Sequence, residues 1–153
     1  MKTAYLAGSM TGTSDGGASL RRQIKGAFIH DNLKIIDPLQ LTDDYCKVHH
    51  LTLEGILGGL RNSGLYHRQV VTRDLVDQDL ECVRNADFVI AYINRPSWGT
   101  AGEITYARAL GKRVYVLLGE DFTEPPFWIL GCTSLYSHSI DSLANMIRIM
   151  ELF

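Results

Sequence analysis

Apolar residues gather in short, nearly unbroken runs at residues 3–7, 34–36, 87–93 and 114–118, and between the runs they recur at helical spacing. A run with so few polar interruptions is how a strand buried on both faces reads. The first run stops at Gly8-Ser9-Met10-Thr11-Gly12, with Asp15-Gly16-Gly17 following, so a buried strand enters a glycine-rich turn. Leu20, Ile24, Ala27 and Phe28 predict a helix over residues 18–30, and Lys34-Ile35-Ile36 a second strand ended by Asp37-Pro38. Between residues 39 and 73 the pattern blurs. Residues 51–60 have helical spacing, but Gly55, Gly58, Gly59 and Gly64 weaken it, and the stretch reads as an insertion of uncertain form.

Leu75, Leu80 and Val83 predict a helix running to about residue 84 and leading into the strand at 87–93. The loop over 94–99 opens a helix over 100–110 that Gly111 ends, and a strand follows at 114–118. Pro125-Pro126 marks a loop, Ser134-Leu135-Tyr136 a short last strand, and residues 140–152 an amphipathic terminal helix. Such alternation predicts an α/β fold in one domain over residues 1–153. Its core is a doubly wound, flavodoxin- or Rossmann-like parallel sheet of five strands with helices on both faces. Ligands of these sheets sit beyond the carboxyl ends of the strands, where the strand order reverses. The loops after the first strand and after residues 87–93 are therefore the places to look for a site.

At 153 residues the chain has the length of one domain, and 46% hydrophobic with 21% charged residues is an ordinary globular composition. A formal charge of -2 and a pI near 6.2 provide no broad basic field, which argues against duplex nucleic acid and anionic membranes as partners. No apolar run is long enough for a membrane span, and the expected location is cytoplasmic. Cys46, Cys82 and Cys132 are odd in number and widely spaced, as reduced thiols would be. Cys46 with His49 and His50 lacks a matching ligand pair elsewhere, so neither metal nor organic cofactor is expected.

In Gly8-Ser9-Met10-Thr11-Gly12, small residues allow backbone N–H groups to approach an anion, and Ser9 and Thr11 add hydroxyls. The segment reads either as a phosphate or sugar cradle or as a tight strand-to-helix turn. In Pro96-Ser97-Trp98-Gly99-Thr100-Ala101-Gly102-Glu103, a carboxylate falls in the first helical turn. Thr100 and Glu103 have capping-box spacing, and local spacing favours capping over catalysis. Asp74, Asp77, Asp79 and Glu81 crowd around a helix start, where the dipole favours acids regardless of function. One of them could share a crevice with Glu103, and paired carboxyls are what glycosidic cleavage requires. Trp98 and Tyr92 either stack on a base or fill space, and Phe127-Trp128-Ile129-Leu130 either contacts another subunit or covers the core.

Four segments together resemble the nucleoside 2-deoxyribosyltransferase superfamily. They are Ala4-Tyr5-Leu6-Ala7-Gly8-Ser9, Asp77-Gln78-Asp79-Leu80, Ala86-Asp87-Phe88-Val89-Ile90-Ala91, and the stretch from Pro96 to Glu103 continuing to Gly111-Lys112. The likeness spans residues 3–118, with 39–73 unmatched. Within the superfamily the chain is most similar to the nucleoside 5′-monophosphate N-glycosidases, because Ser97 stands six residues before Glu103 where the transferases carry an aspartate. The resemblance implies that Glu103 is the nucleophile, Asp79 the acid that assists departure of the base, and Tyr5 the residue that orients Glu103. It also implies that Ser9 and Ser97 hold the 5′-phosphate and that sites are shared in a homodimer or higher homo-oligomer; Gly8, Thr11, Trp98 and Gly99 are the further substrate-binding candidates. Asp87 reads as structural. Thr11 departs from an arginine found at that position in the branch; Arg21, Arg22 and Arg95 could replace its charge, though each reads more readily as a solvated surface residue. The competing readings are base transfer and nucleotide binding without turnover.

Overall fold

A computed structural model describes residues 1–10 and 15–152. In chain order the elements are β1 (Lys2–Gly8), α1 (Ala18–Ala27), β2 (Leu33–Ile36), α2 (Pro38–His49), α3 (Leu53–Leu57) and α4 (Leu65–Asn85). There follow β3 (Phe88–Ile93), α5 (Trp98–Ala109), β4 (Arg113–Leu118), α6 (Phe127–Cys132), β5 (Leu135–Ser137) and α7 (Ile140–Glu151). All four strand pairings are parallel, in the order β2-β1-β3-β4-β5, which is the predicted doubly wound sheet. The chain leaves β1 toward β2 and returns to β3 on the other side, so the switch point lies between the carboxyl ends of β1 and β3.

The apolar runs form strands because each side chain has a core to enter on either face. On one face Tyr5, Ala7, Val89, Ala91, Val114 and Val116 pack with Val83 of α4, Ala86 just after it, Ile104 and Ala107 of α5, and Ile129 of α6. On the other, Leu6, Ile90, Phe88, Tyr115 and Leu117 meet Ile24 of α1, Phe28 at its C-cap, and Leu143, Ala144 and Ile147 of α7. At the amino end of the sheet, Lys2 (2.7 Å), Arg113 (3.2 Å) and Tyr115 (2.6 Å) converge on the carboxylate of Glu151, which is 5% exposed. Arg148 adds a forked contact to Asp31 and donates to the carbonyl of Ala27, tying α7 to the end of α1.

Three helices differ from the sequence expectation. Asp37-Pro38 does not merely end β2: the Asp37 carboxylate accepts from the amide of Leu39 and Pro38 stands at the first helical position, so the pair starts α2. The blurred stretch over 39–73 is α2, the five-residue α3 and the first part of α4. α4 begins ten residues before Leu75, and α6 forms where a loop or contact segment was expected. Asp87 is structural as read, its carboxylate accepting from the amide of Thr3 at 2.7 Å.

Beyond the strands, Gly119 fixes the loop after β3. Its amide donates to the carbonyl of Ile93 at 2.8 Å, and a Cβ there would fall 2.9 Å from Cα and Cβ of Asn94. Only glycine allows the ends of β3 and β4 this close, and that approach sets where residues 94–97 leave the sheet.

Candidate active site

Ser97 is the N-cap of α5. Its Oγ accepts from the amide of Thr100 at 3.4 Å and from the Thr100 hydroxyl at 3.1 Å. The helix therefore starts three residues earlier than the capping-box reading places it, and Glu103 lies in the second turn rather than the first. Its carboxylate caps nothing. Glu103 shares a helix face with Thr100, Ile104 and Ala107, all buried against the sheet. There its Oε1 accepts a 2.7 Å hydrogen bond from the hydroxyl of Tyr5, a fully buried β1 residue 98 positions away. Ser97→Ala is expected to cost about 1 kcal/mol. The expected fall in midpoint is about 2–4 °C in thermal unfolding.

The four acids of α4 are not at a helix start but from its middle onward, so the dipole does not account for them. Asp74, Asp77 and Glu81 are exposed, Asp74 accepting from Tyr45 and Glu81 pairing with Arg84. Asp79 stands four residues before Val83 and seven before Ala86, both buried, so the stripe that seats α4 on the sheet turns this aspartate inward. That spacing was available in the sequence as the signal selecting Asp79 from its neighbours.

Electrostatics couple the two carboxyls. Burial raises the pKa of Glu103 to about 8; the hydrogen bond from Tyr5 opposes that rise, the negative charge of Asp79 adds to it, and Arg21 lowers it. Asp79 is pushed up to about 6, again chiefly by burial, with Tyr5 and Arg21 opposing. Tyr5 itself is held far above the usual phenol range by burial and by both carboxylates. Two like charges at close quarters in a partly desolvated site favour holding one proton between them. A tyrosine has a single hydroxyl proton, and here it is given to Glu103. Burial places the shared proton on Glu103 at rest, and the hydrogen bond from Tyr5 opposes this by favouring the form in which Glu103 is ionised and Asp79 holds the proton.

Two cavities lie at the carboxyl ends of β1 and β3, and neither is lined by Tyr5, Asp79 or Glu103. One, of about 170 Å³, lies at the end of β1 between Gly8, Ser9, Arg21, Tyr92 and Asn94. The other, of about 220 Å³, lies between Arg95, Ser97, Trp98, Thr100, Pro126 and Ile129. Among the expected binding residues, Gly8 and Ser9 thus meet at the first recess and Ser97 and Trp98 at the second. Gly99 sits in the first turn of α5 with open space beside it, and Thr11 falls outside the described residues. The carboxylate of Asp15 takes the amides of Gly17 and Ser19 at 2.8 Å each, so the amino end of α1 already holds an anion of the chain's own.

Trp98 is 96% exposed, which settles it as a rim residue rather than a space filler. Phe127, at 92%, and Trp128 also face outward, and α6 covers the core through Ile129, with Cys132 packed beside it. Arg21 is not the solvated residue expected: it is 4% exposed and bonded beneath β1 through both terminal nitrogens. Its signal was its place three residues before Ile24 and seven before Phe28, on the buried side of α1.

The profile of the nucleoside 2-deoxyribosyltransferase family matches residues 4–125. No curated protein sequence matches the chain. Among solved structures, a 2-deoxyribosyltransferase from Bacillus psychrosaccharolyticus is similar with a TM-score of 0.62 at 16% identity, covering 94% of this chain and 90% of the other. A conserved protein from Enterococcus faecalis V583 gives 0.61 at 18% identity, covering 98% and 99%. The CMP N-glycosidase BcmB from Clostridium botulinum gives 0.52 at 16% identity, covering 95% and 98%. At these identities the likeness is one of fold. Among the described residues, no helix is long and apolar enough to cross a membrane.

Proposed function

Because the chain belongs to the nucleoside 2-deoxyribosyltransferase family, and so to enzymes of the deoxyribosyltransferase or N-glycosidase type, we propose that it hydrolyses the N-glycosidic bond of a nucleoside 5′-monophosphate. The observation that carries this reading is the hydrogen bond from Tyr5 to Glu103, with Asp79 coupled to both. Glu103 attacks the anomeric carbon as the bond to the base breaks, and the base leaves with the proton of Asp79. Water then attacks the glycosyl ester, giving its proton to Asp79 and releasing sugar 5-phosphate and the free Glu103 carboxylate. The positive charge that builds on the sugar meets Glu103, and the negative charge on the base meets a proton.

Ser97 supports a phosphorylated substrate. Its oxygen accepts from Thr100, but its own proton remains available to an anion, where an aspartate would repel one. With the start of α1 occupied by Asp15, the phosphate is placed between Ser9 and Ser97. Trp98 lies beside Ser97 as a surface on which a base can stack. A second subunit completes the site in this reading, and the outward aromatic residues Trp98, Phe127 and Trp128 are where we place it.

Incubation with a panel of ribo- and deoxyribonucleoside 5′-monophosphates, followed by chromatography, tests the proposal. At least one member is expected to release base and sugar 5-phosphate in equal amounts. Release from no member overturns it. Little hydrolysis but rapid exchange on adding a second free base to a nucleoside replaces it with base transfer.

A further inference from the structure

Strand β2 pairs with β1 only as far as Tyr5 opposite Ile36, yet β1 continues for three more residues. The carbonyls of Leu6 and Gly8, which share one parity along the strand, would point past the end of β2 into a buried region. A buried carbonyl left without a donor is costly. Arg21 supplies both donors: its Nη1 reaches Leu6 O at 3.0 Å and its Nη2 reaches Gly8 O at 2.9 Å. One guanidinium thus stands in for the missing edge of β2, and the fork that only arginine offers matches the spacing of the two carbonyls.

The same Nη1 donates to Asp37 Oδ1 at 3.0 Å, while Asp37 Oδ2 accepts from Lys25 Nζ at 2.6 Å. One carboxylate facing two cations leaves a net positive charge behind the end of β1. Tyr5, on that same strand, carries the contact to Glu103.

We infer that Arg21 is a positioning residue for the carboxyl pair: it holds the end of β1 in place of a strand partner, and its uncancelled charge favours an ionised Glu103. The inference rests on the reading of Glu103 and Asp79 as the reacting groups. The groups facing Glu103 are Tyr5 from β1, Asp79 from α4 and Arg21 from α1. Asp79 faces Tyr5 and Arg21, with Cys82 one turn along its helix. Among the described residues Arg21 is the one cation acting on both carboxyls, and it lowers the pKa of each.

The test compares wild type with Arg21→Met, Arg21→Lys and Asp37→Asn, following kcat/KM against pH and, independently of turnover, the titration of the Glu103 carboxyl by carbon-13 NMR. Removing the charge in Arg21→Met is expected to move both limbs of the profile and the titration up by about half to one pH unit. Arg21→Lys restores their positions but, lacking the fork, keeps a several-fold lower kcat. Asp37→Asn can still cap α2 while removing the counter-charge, so it moves limbs and titration down; it decides the matter should Arg21→Met fail to fold. Unmoved limbs and titration in the folded variants overturn the inference and leave Arg21 a brace only. If no nucleotide is turned over, the proposed function fails, and the carboxyl titration still decides on Arg21.

Discussion

Replacing Glu103 with glutamine is expected to lower turnover at least about 10³-fold while the protein stays folded and becomes more heat-stable above pH 8. The loss follows from removing the group that the proposed mechanism bonds to the anomeric carbon. The gain follows from the raised pKa of that group. A carboxyl with a folded-state pKa above its unfolded value contributes stability that is complete below the unfolded value and is lost as pH rises through the folded one. For Glu103 that window runs from the ordinary 4.5 to about 8. Above it, the native state carries a poorly solvated charge that glutamine does not have. Glutamine can also still accept the proton of Tyr5. Because the site keeps some contact with solvent, the gain is set at about 1–2 kcal/mol. Calorimetry at pH 6 and pH 9 checks it: the variant should gain only at the higher pH. Loss of the fold would instead restore Glu103 to the role of a helix cap.

Asp79→Asn is expected to discriminate between leaving groups. Asparagine has no proton to give up, so release of a natural base should fall by about 10²–10⁴. A sugar 5-phosphate bearing nitrophenolate, which departs without a proton, should lose little, whereas Glu103→Gln should suffer with both. Equal losses for the two leaving groups would remove Asp79 from the acid role. In the wild type, one proton shared between the carboxyls gives a bell-shaped profile. Turnover falls below about 6, where both are protonated, and above about 8, where neither is. With Asp79 replaced there is no acid proton to lose, so the basic limb should disappear and leave a profile set by the ionisation of Glu103 alone.

The sheet was legible because β1, β3 and β4 are enclosed on both faces, and enclosure leaves unbroken apolar runs. The first half of α4 was not, because Leu65, Tyr66 and Val70 face outward and only Val71 is buried, leaving no stripe to detect. Asp37-Pro38 carried a helix-start signal that the end of a strand obscured. Glu103 shows the limit of local spacing: three residues from a threonine it imitates a cap, and only the fold brings it to Tyr5. Resemblance to a family named Tyr5 beside Glu103 before the geometry put the two in hydrogen-bond contact. For Arg21, charge argued for solvent and helical position for the interior; the two unpaired carbonyls of β1, invisible in the sequence, decided between them.

The carboxylate knot at the far end of the sheet bears on how this molecule responds to acid. Burial alone would raise Glu151, but hydrogen bonds from Lys2, Tyr115 and Arg113 outweigh it and hold the group below its ordinary value. Its contribution is therefore present at neutral pH and fades as the medium turns acidic. Acidification accordingly unfastens the terminal helix at one pole, while the protons that govern bond cleavage come and go at the other. Tolerance to acid and working pH are thus separate traits, open to adjustment one without the other.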